Sequence, residues 1–185
     1  AIVLLAYLVR GATGFGSGLV GIPLLVLMLP LTLVVPVMSV LDYLASATHG
    51  VLHRSAIIWR ELWALLPSVL VGLVLALYLF KNLDLDLLTS ALGMFVLSYA
   101  TWALLAVQPH KLHSRLWGLP LGLLAGLIGT LFGIGGPFYV IYFRLRQLDK
   151  HQFRATFAVT YLVEGLARIA GYALTGLFDR QGLLL

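Results

Sequence analysis

Asp42, Ser46 and His49 stand at i, i+4 and i+7, and Tyr161, Glu164 and Arg168 stand at i, i+3 and i+7. Each triplet lines up on one face if its stretch is helical, and each stretch is otherwise apolar. A charge at bilayer depth costs about 3 kcal/mol or more, so it normally faces a partner or a cavity. Carboxylates so placed can bind protons and couple them to the movement of another charge. Asp42, Glu164 and His49 are therefore candidate proton-coupling residues, with Arg168 a candidate for attracting an anion. Two structural alternatives stand beside this. Glu164 and Arg168, four apart, can form an internal pair, and His49 lies one turn from His53 and Arg54 at what reads as an interface.

Glycine supplies the second chemical signal. Gly126 to Pro137 reads GLIGTLFGIGGP within a stretch, Leu116 to Phe143, that carries no charge; Gly11 to Pro23 reads GATGFGSGLVGIP. Gly14, Gly16 and Gly18 match Gly133, Gly135 and Pro137 in spacing. Glycine costs a helix about 1 kcal/mol per residue relative to alanine, so each cluster predicts a break. In lipid, broken backbone survives only where protein buries it or a wet cavity takes it up. Paired breaks in corresponding halves of a chain mark transporter binding sites. Amides freed at such a tip can cradle an anion, helped by the positive end of the following helix. The expected substrate site is Gly14, Gly16, Ser17, Gly18, Gly133, Gly135 and Gly136, with the hydroxyls of Thr13, Ser17 and Thr130 and the charge of Arg168. The bland alternative is close helix packing through small residues. A nucleotide-binding loop is excluded by the lack of a GK[ST] signature and of a preceding strand.

The elements that must hold these residues follow from composition. The 185-residue chain is 61% hydrophobic and 10% charged, and its mean hydropathy is +1.03. Soluble domains carry about 25% charge, so this is an all-α integral membrane protein surrounded by lipid. The net charge of +5 comes from Lys and Arg in short loops, which set topology and make no nucleic-acid signal. There is no cysteine, hence no disulfide or thiolate chemistry. His110 and His113 share a loop without further ligands, so no metal and no cofactor is expected. No cleavable signal peptide is visible. The chain opens on Ala1 and stops as an apolar run begins at Leu183, so both ends are expected to be incomplete.

Spanning helices are expected at about 32–52, 62–80, 87–107 and 153–175, with glycine-rich segments at 1–30 and 116–143 and the start of a further helix near 185. If each glycine segment crosses once, the loop charges divide evenly between the two sides. If each is a hairpin, Arg54, Arg60, Lys111, Arg115, Arg144, Arg146, Lys150 and Arg154 share one side against Lys81 and Arg180. The positive-inside rule favours hairpins and makes that side cytoplasmic. At 1.5 Å per residue the 116–143 stretch is too short for two full crossings, so half-depth arms are expected. The expected architecture is an inverted repeat, 1–107 and an incomplete 116–185, each unit a glycine-tipped hairpin plus transmembrane helices. A broken single-pass helix in each half is the alternative. Arg10 either serves the first tip or snorkels to an interface, and Tyr139 and Tyr142 either line a path or anchor the membrane edge.

The segments GATGFGSGLVGIPLL, GLIGTLFGIGGPF and FRATFAVTYLVEGLARIAGYALTG resemble the duplicated glycine signature, and the segment after its second copy, of the sulfite exporter TauE/SafE family of membrane permeases. Ser17 and Pro137 stand where that signature usually has glycine, and Tyr142 takes the place of the second proline. The resemblance implies a multi-pass plasma-membrane transporter, proton-linked, for sulfur-containing anions such as sulfite, sulfonates, sulfoacetate or related organic acids. It leaves the anion, the direction and a homo-oligomeric state open. Two other function classes were weighed: a membrane-embedded enzyme on lipid or polyprenyl substrates using Asp42 and His49, and a non-transporting scaffold. The enzyme would want an acidic metal cluster or a nucleophile beside a base. The scaffold gives no reason for carboxylates inside spans.

Overall fold

Long runs of Leu, Val and Ala with few polar interruptions form helices, because a chain in lipid must satisfy its amides internally. In a computed structural model, which describes residues 1–13, 16–52, 56–105 and 114–176 (48–52 by backbone alone), eight α-helices account for most of the chain. They are α1 (Ile2–Thr13), α2 (Ser17–Val26), α3 (Leu31–Leu52), α4 (Trp59–Asn82), α5 (Leu85–Leu105), α6 (Gly118–Phe132), α7 (Gly136–Leu145) and α8 (Lys150–Leu174). Among the described residues there is no strand. The expected helices thus exist, with ends displaced by at most three residues. Gly14, the His49 side chain, His53, Arg54, His110, Lys111, His113, Arg180 and the apolar run after 176 lie outside the described residues.

Both glycine segments are hairpins. A Cβ on Gly118, at the start of α6, would lie 3.3 Å from the Tyr142 ring near the end of α7, and one on Gly135 would lie 2.8 Å from the Ala125 carbonyl. Those pairings run antiparallel. Likewise a Cβ on Gly21 would lie 3.1 Å from Ala6 Cβ, while Arg10 reaches Ser17. The arms of the second hairpin are unequal. Together with a single 3-10 turn at Arg115–Trp117, α6 makes an 18-residue apolar helix of spanning length, whereas α7 has 10 residues. In length alone, α7 is the short arm that was expected and α6 is not, because the turn at Arg115 extends α6 backwards and α4 supports its whole length.

That support is glycine packing. Gly122 and Gly126 of α6 lie directly on the backbone and Ser68 of α4, and Gly72 of α4 lies directly on the Leu123 carbonyl. With no hydrophobic drive between helices in lipid, such close approach supplies the dispersion energy of association. Ser68 Oγ adds hydrogen bonds to the carbonyls of Leu65 (2.9 Å) and Gly118 (3.0 Å). By contrast α5 is peripheral: Met94 and Leu97 are 71% exposed, on a surface suited to lipid. Among the described residues, four helices are long and apolar enough to cross a membrane, α4, α5, α6 with its 3-10 turn, and α8. Between α7 and α8, Asp149 caps α8 in a reciprocal capping box with Gln152, which stops one helix and starts the next within four residues.

The two ends of the second hairpin share one carboxylate. Glu61, buried in the first turn of α4, accepts from Arg115 Nε (3.0 Å), Arg146 Nε and Nη2 (both 3.0 Å) and the Tyr142 hydroxyl (2.6 Å). The hydrogen bond to Glu61 in turn holds the Arg146 guanidinium above its ordinary pKa. Arg115 precedes α6 and Arg146 follows α7, so α4 latches the hairpin at its base. Tyr142, read from sequence as a path residue or an anchor, belongs to this latch.

Two outcomes follow. Gly126→Val should drive its side chain into the Val69 backbone and cost about 1–3 kcal/mol. Gly93→Ala on α5, where a Cβ meets nothing within 4 Å, should be neutral or stabilising by up to about 1 kcal/mol. Thermal unfolding in detergent measures both. Glu61→Gln leaves two arginines facing a neutral amide and should cost about 3 kcal/mol. That is the low end for a buried pair, since the Arg115 side chain is 37% exposed.

Candidate functional site

The first hairpin turns through Gly16, whose φ of 95° lies in the left-handed region that glycine adopts without strain. The turn aims the start of α2 at α3. Tyr7 and Arg10, one turn apart on α1, face the same way. They meet Asp42 and Ser46, which share a face of α3. One oxygen of Asp42, Oδ1, accepts from the Tyr7 hydroxyl (2.8 Å), the Ser17 hydroxyl (2.7 Å) and Arg10 Nη1. Arg10 also donates to Ser17 Oγ (3.2 Å), Ser46 Oγ (2.5 Å) and the Asp42 carbonyl (3.3 Å). Arg10 therefore does not snorkel. It is buried and neutralises Asp42, and its guanidinium carbon lies 5.5 Å from the centre of the Tyr161 ring.

The second hairpin turns through Gly133, with φ 67° and its N–H bonded to the Gly129 carbonyl. Pro137 opens α7, where its lack of an N–H costs nothing. Among the described residues, the N–H groups of Ile134, Gly135 and Gly136 make no backbone hydrogen bond. The two tips touch: a Cβ on Gly18 would overlap the Gly133 carbonyl, and one on Gly133 would overlap the Ile22 side chain. Glycine is required at both places by this approach.

The face of α8 predicted from spacing is real. Tyr161, Glu164, Arg168 and Tyr172 are all buried. Glu164 Oε2 accepts from the Tyr139 hydroxyl of α7 at 2.8 Å. Arg168 Nη1 donates to the Gly129 carbonyl at 2.5 Å, and the Tyr172 hydroxyl to the Thr130 carbonyl. The Glu164–Arg168 pair exists at 3.7 Å but shares no hydrogen bond. Among the described residues, three buried side-chain polar atoms have no hydrogen-bond partner: Thr130 Oγ1, Glu164 Oε1 and Arg168 Nε. Native proteins leave few such atoms, and each calls for an explanation. Here they belong to neighbouring positions on α6 and α8, beside the second tip.

Of the expected site residues, Gly16, Ser17, Gly18, Asp42, Thr130, Gly133, Gly135, Gly136, Glu164 and Arg168 all belong to this region. Thr13 is exposed, and its hydroxyl donates back to the Val9 carbonyl of its own helix. Tyr7 was not anticipated, although its spacing from Arg10 was the available signal. Tyr139, read as either path or anchor, is a partner of Glu164. Among the described residues no group of three His, Cys, Asp or Glu side chains could hold a metal ion.

A family model described as "Sulfite exporter TauE/SafE" matches residues 1–185. The chain is 29% identical over 147 residues to the probable inner membrane transporter protein TsaS of Comamonas testosteroni, an overlap covering 76% of this chain and 59% of that protein. The chain thus spans less than two thirds of the length of that relative. No solved structure matches. Both descriptions are of transporters. Matched by the family model from its first residue to its last, and built around the two glycine-tipped hairpins, the chain belongs to the sulfite exporter TauE/SafE family.

Proposed function

We propose that this protein is a proton-coupled secondary transporter of the plasma membrane. Its substrates are sulfur-containing anions: sulfite, sulfonates, sulfoacetate or related organic anions. The chain forms two inverted units, 1–107 and 116–185, and rocking of one against the other exposes the site to alternate sides. The anion sits between the tips near the midplane. The amides of Ile134, Gly135 and Gly136, the hydroxyls of Ser17 and Thr130, and Arg168 receive it. Asp42, Glu164 and, further along α3, His49 are the candidates for the group that titrates during the cycle.

One observation carries this reading. Two helix breaks from opposite halves of the chain meet at Gly18 and Gly133, beside three buried polar atoms without partners. Donors held in place in a dry interior suit an oxyanion, since little reorganisation is needed to receive it. Family membership supports the class of solute, and the relative's inner-membrane description supports the location.

The test is flux of labelled sulfite, methanesulfonate and sulfoacetate in proteoliposomes under an imposed pH gradient. Gradient-dependent flux of at least one is expected. Arg168→Gln should lower it at least about tenfold, the loss of one charge-assisted hydrogen bond in a buried site. Absence of gradient-dependent flux for all three overturns the proposal.

A further inference from the structure

The two halves each place a carboxylate and an arginine in the interior, but they do not use them alike. In the first half the charges are spent on each other. Asp42 Oδ1 has three donors, and both Nη groups of Arg10 are engaged. Removing that carboxylate from that guanidinium would undo a network of six hydrogen bonds. In the second half Arg168 meets only a neutral carbonyl directly, its Nε is unpartnered, and its carboxylate stands 3.7 Å away with one oxygen bare. An ion pair so poorly satisfied in a dry interior is easily exchanged for a better partner.

Resting on the transport reading above, we infer that Glu164 is the resident counter-ion of Arg168 and gives way to the transported anion by taking up a proton, so that proton and anion occupy the site together. Asp42 stays paired with Arg10 throughout as its fixed counter-ion. The geometry around Glu164 Oε1 fits this role. A Cβ on Gly129 would lie 2.6 Å from Oε1 and 3.3 Å from the Gly135 Cα, so the bare oxygen and the second tip border the same point. Any side chain at 129 would close it. Ionised, Oε1 repels an anion at the tip. Protonated, it presents an O–H donor to the same anion, while Arg168 is released to it and the Thr130 hydroxyl, which has no hydrogen-bond partner, stands beside it as a further donor.

The balance of the step is simple. One proton from solution adds to Oε1, and no other covalent bond changes. The site carries Glu⁻ and Arg⁺ before, and neutral Glu, Arg⁺ and the anion after, so a monovalent anion enters without net charge and a divalent one adds one negative charge. Every element packed around Glu164 is consistent with a single titrating group. From α7 the Tyr139 hydroxyl donates to Oε2. From α3, Asp42 acts through space with its charge met by Arg10 of α1, and Tyr43 lies against Gly165. Its own helix contributes Tyr161, Arg168 and Tyr172. The part of α6 beside it, Gly129 and Thr130, has no titratable side chain, and on α4 the titratable residues stand towards the two ends, at Arg60, Glu61, Tyr78 and Lys81.

The experiment is calorimetric binding of sulfite, methanesulfonate and sulfoacetate to the purified protein in buffers of different protonation enthalpy, with the ionisation of sulfite itself subtracted. Above the midpoint of the pH profile, wild type should take up about one proton per anion, and its affinity should fall about tenfold per pH unit. Glu164→Gln should bind the anion without proton uptake and with an affinity flat in pH. Tyr139→Phe removes the donor that favours the ionised carboxylate, so its midpoint should move to higher pH; this decides the matter if Glu164→Gln does not fold. Binding without proton uptake in wild type, undiminished uptake in Glu164→Gln, or an unmoved midpoint in Tyr139→Phe overturns this inference and leaves the transport reading standing. Failure of wild type to bind any of the three overturns both.

Discussion

A helix interrupted inside a bilayer exposes amides that lipid cannot satisfy, and the cost is several kcal/mol for each. In this protein the two interruptions cover each other. Gly18 lies on the Gly133 carbonyl and Ile22 fills the space over Gly133. Everything else in the structure keeps these tips together. The glycines of α6 seat it on α4. Glu61 ties both ends of the second hairpin to the start of α4. The network around Asp42 ties the first hairpin to α3. Tyr172 of α8 holds the Thr130 carbonyl near the end of α6, which a helix end cannot satisfy for itself, and Arg168 adds a second donor to the Gly129 carbonyl.

This arrangement places polar groups in two distinct conditions. Around Glu61 and Asp42 the charges are paired and hydrogen-bonded, the state in which a buried charge is least costly. Around Glu164 and Arg168 they are close but incompletely satisfied. The aromatic stack of Tyr139, Phe157 and Tyr161 packs around the second group, and the Arg10 guanidinium lies over the same Tyr161 ring. The rigid and the incompletely satisfied charges are therefore joined through one aromatic side chain. The transport reading proposed above makes use of this division, since a fully satisfied network has nothing to exchange.

Much was legible from the chain alone, and for local reasons. Hydropathy and length are sums over neighbours, so the long helices read directly. Glycine density is a backbone property, so the breaks at Gly16 and Gly133 read directly too. A helical face is a matter of spacing, which is why Tyr161, Glu164 and Arg168 were grouped correctly before any contact was known. Even the hairpins followed from the distribution of loop charges, a constraint of the membrane rather than of packing.

Pairing was a different matter. Sequence suggested Glu164 with Arg168 as the internal pair, because four residues separate them. That pair exists at 3.7 Å, but the tightest pair among the described residues joins Arg10 to Asp42, 32 positions away. No spacing or motif marks Glu61, and only the convergence of α4, α6 and α7 turns it into a latch. The unpartnered atoms of Thr130, Glu164 and Arg168 have no sequence signature at all. Composition and periodicity thus determined that the chain lies in lipid, where its helices break and which faces are polar, because each depends on residues near one another in the chain. Which charge meets which, and which is left incompletely met, depends on the rotation and depth at which separate helices pack, and only the tertiary structure decides that.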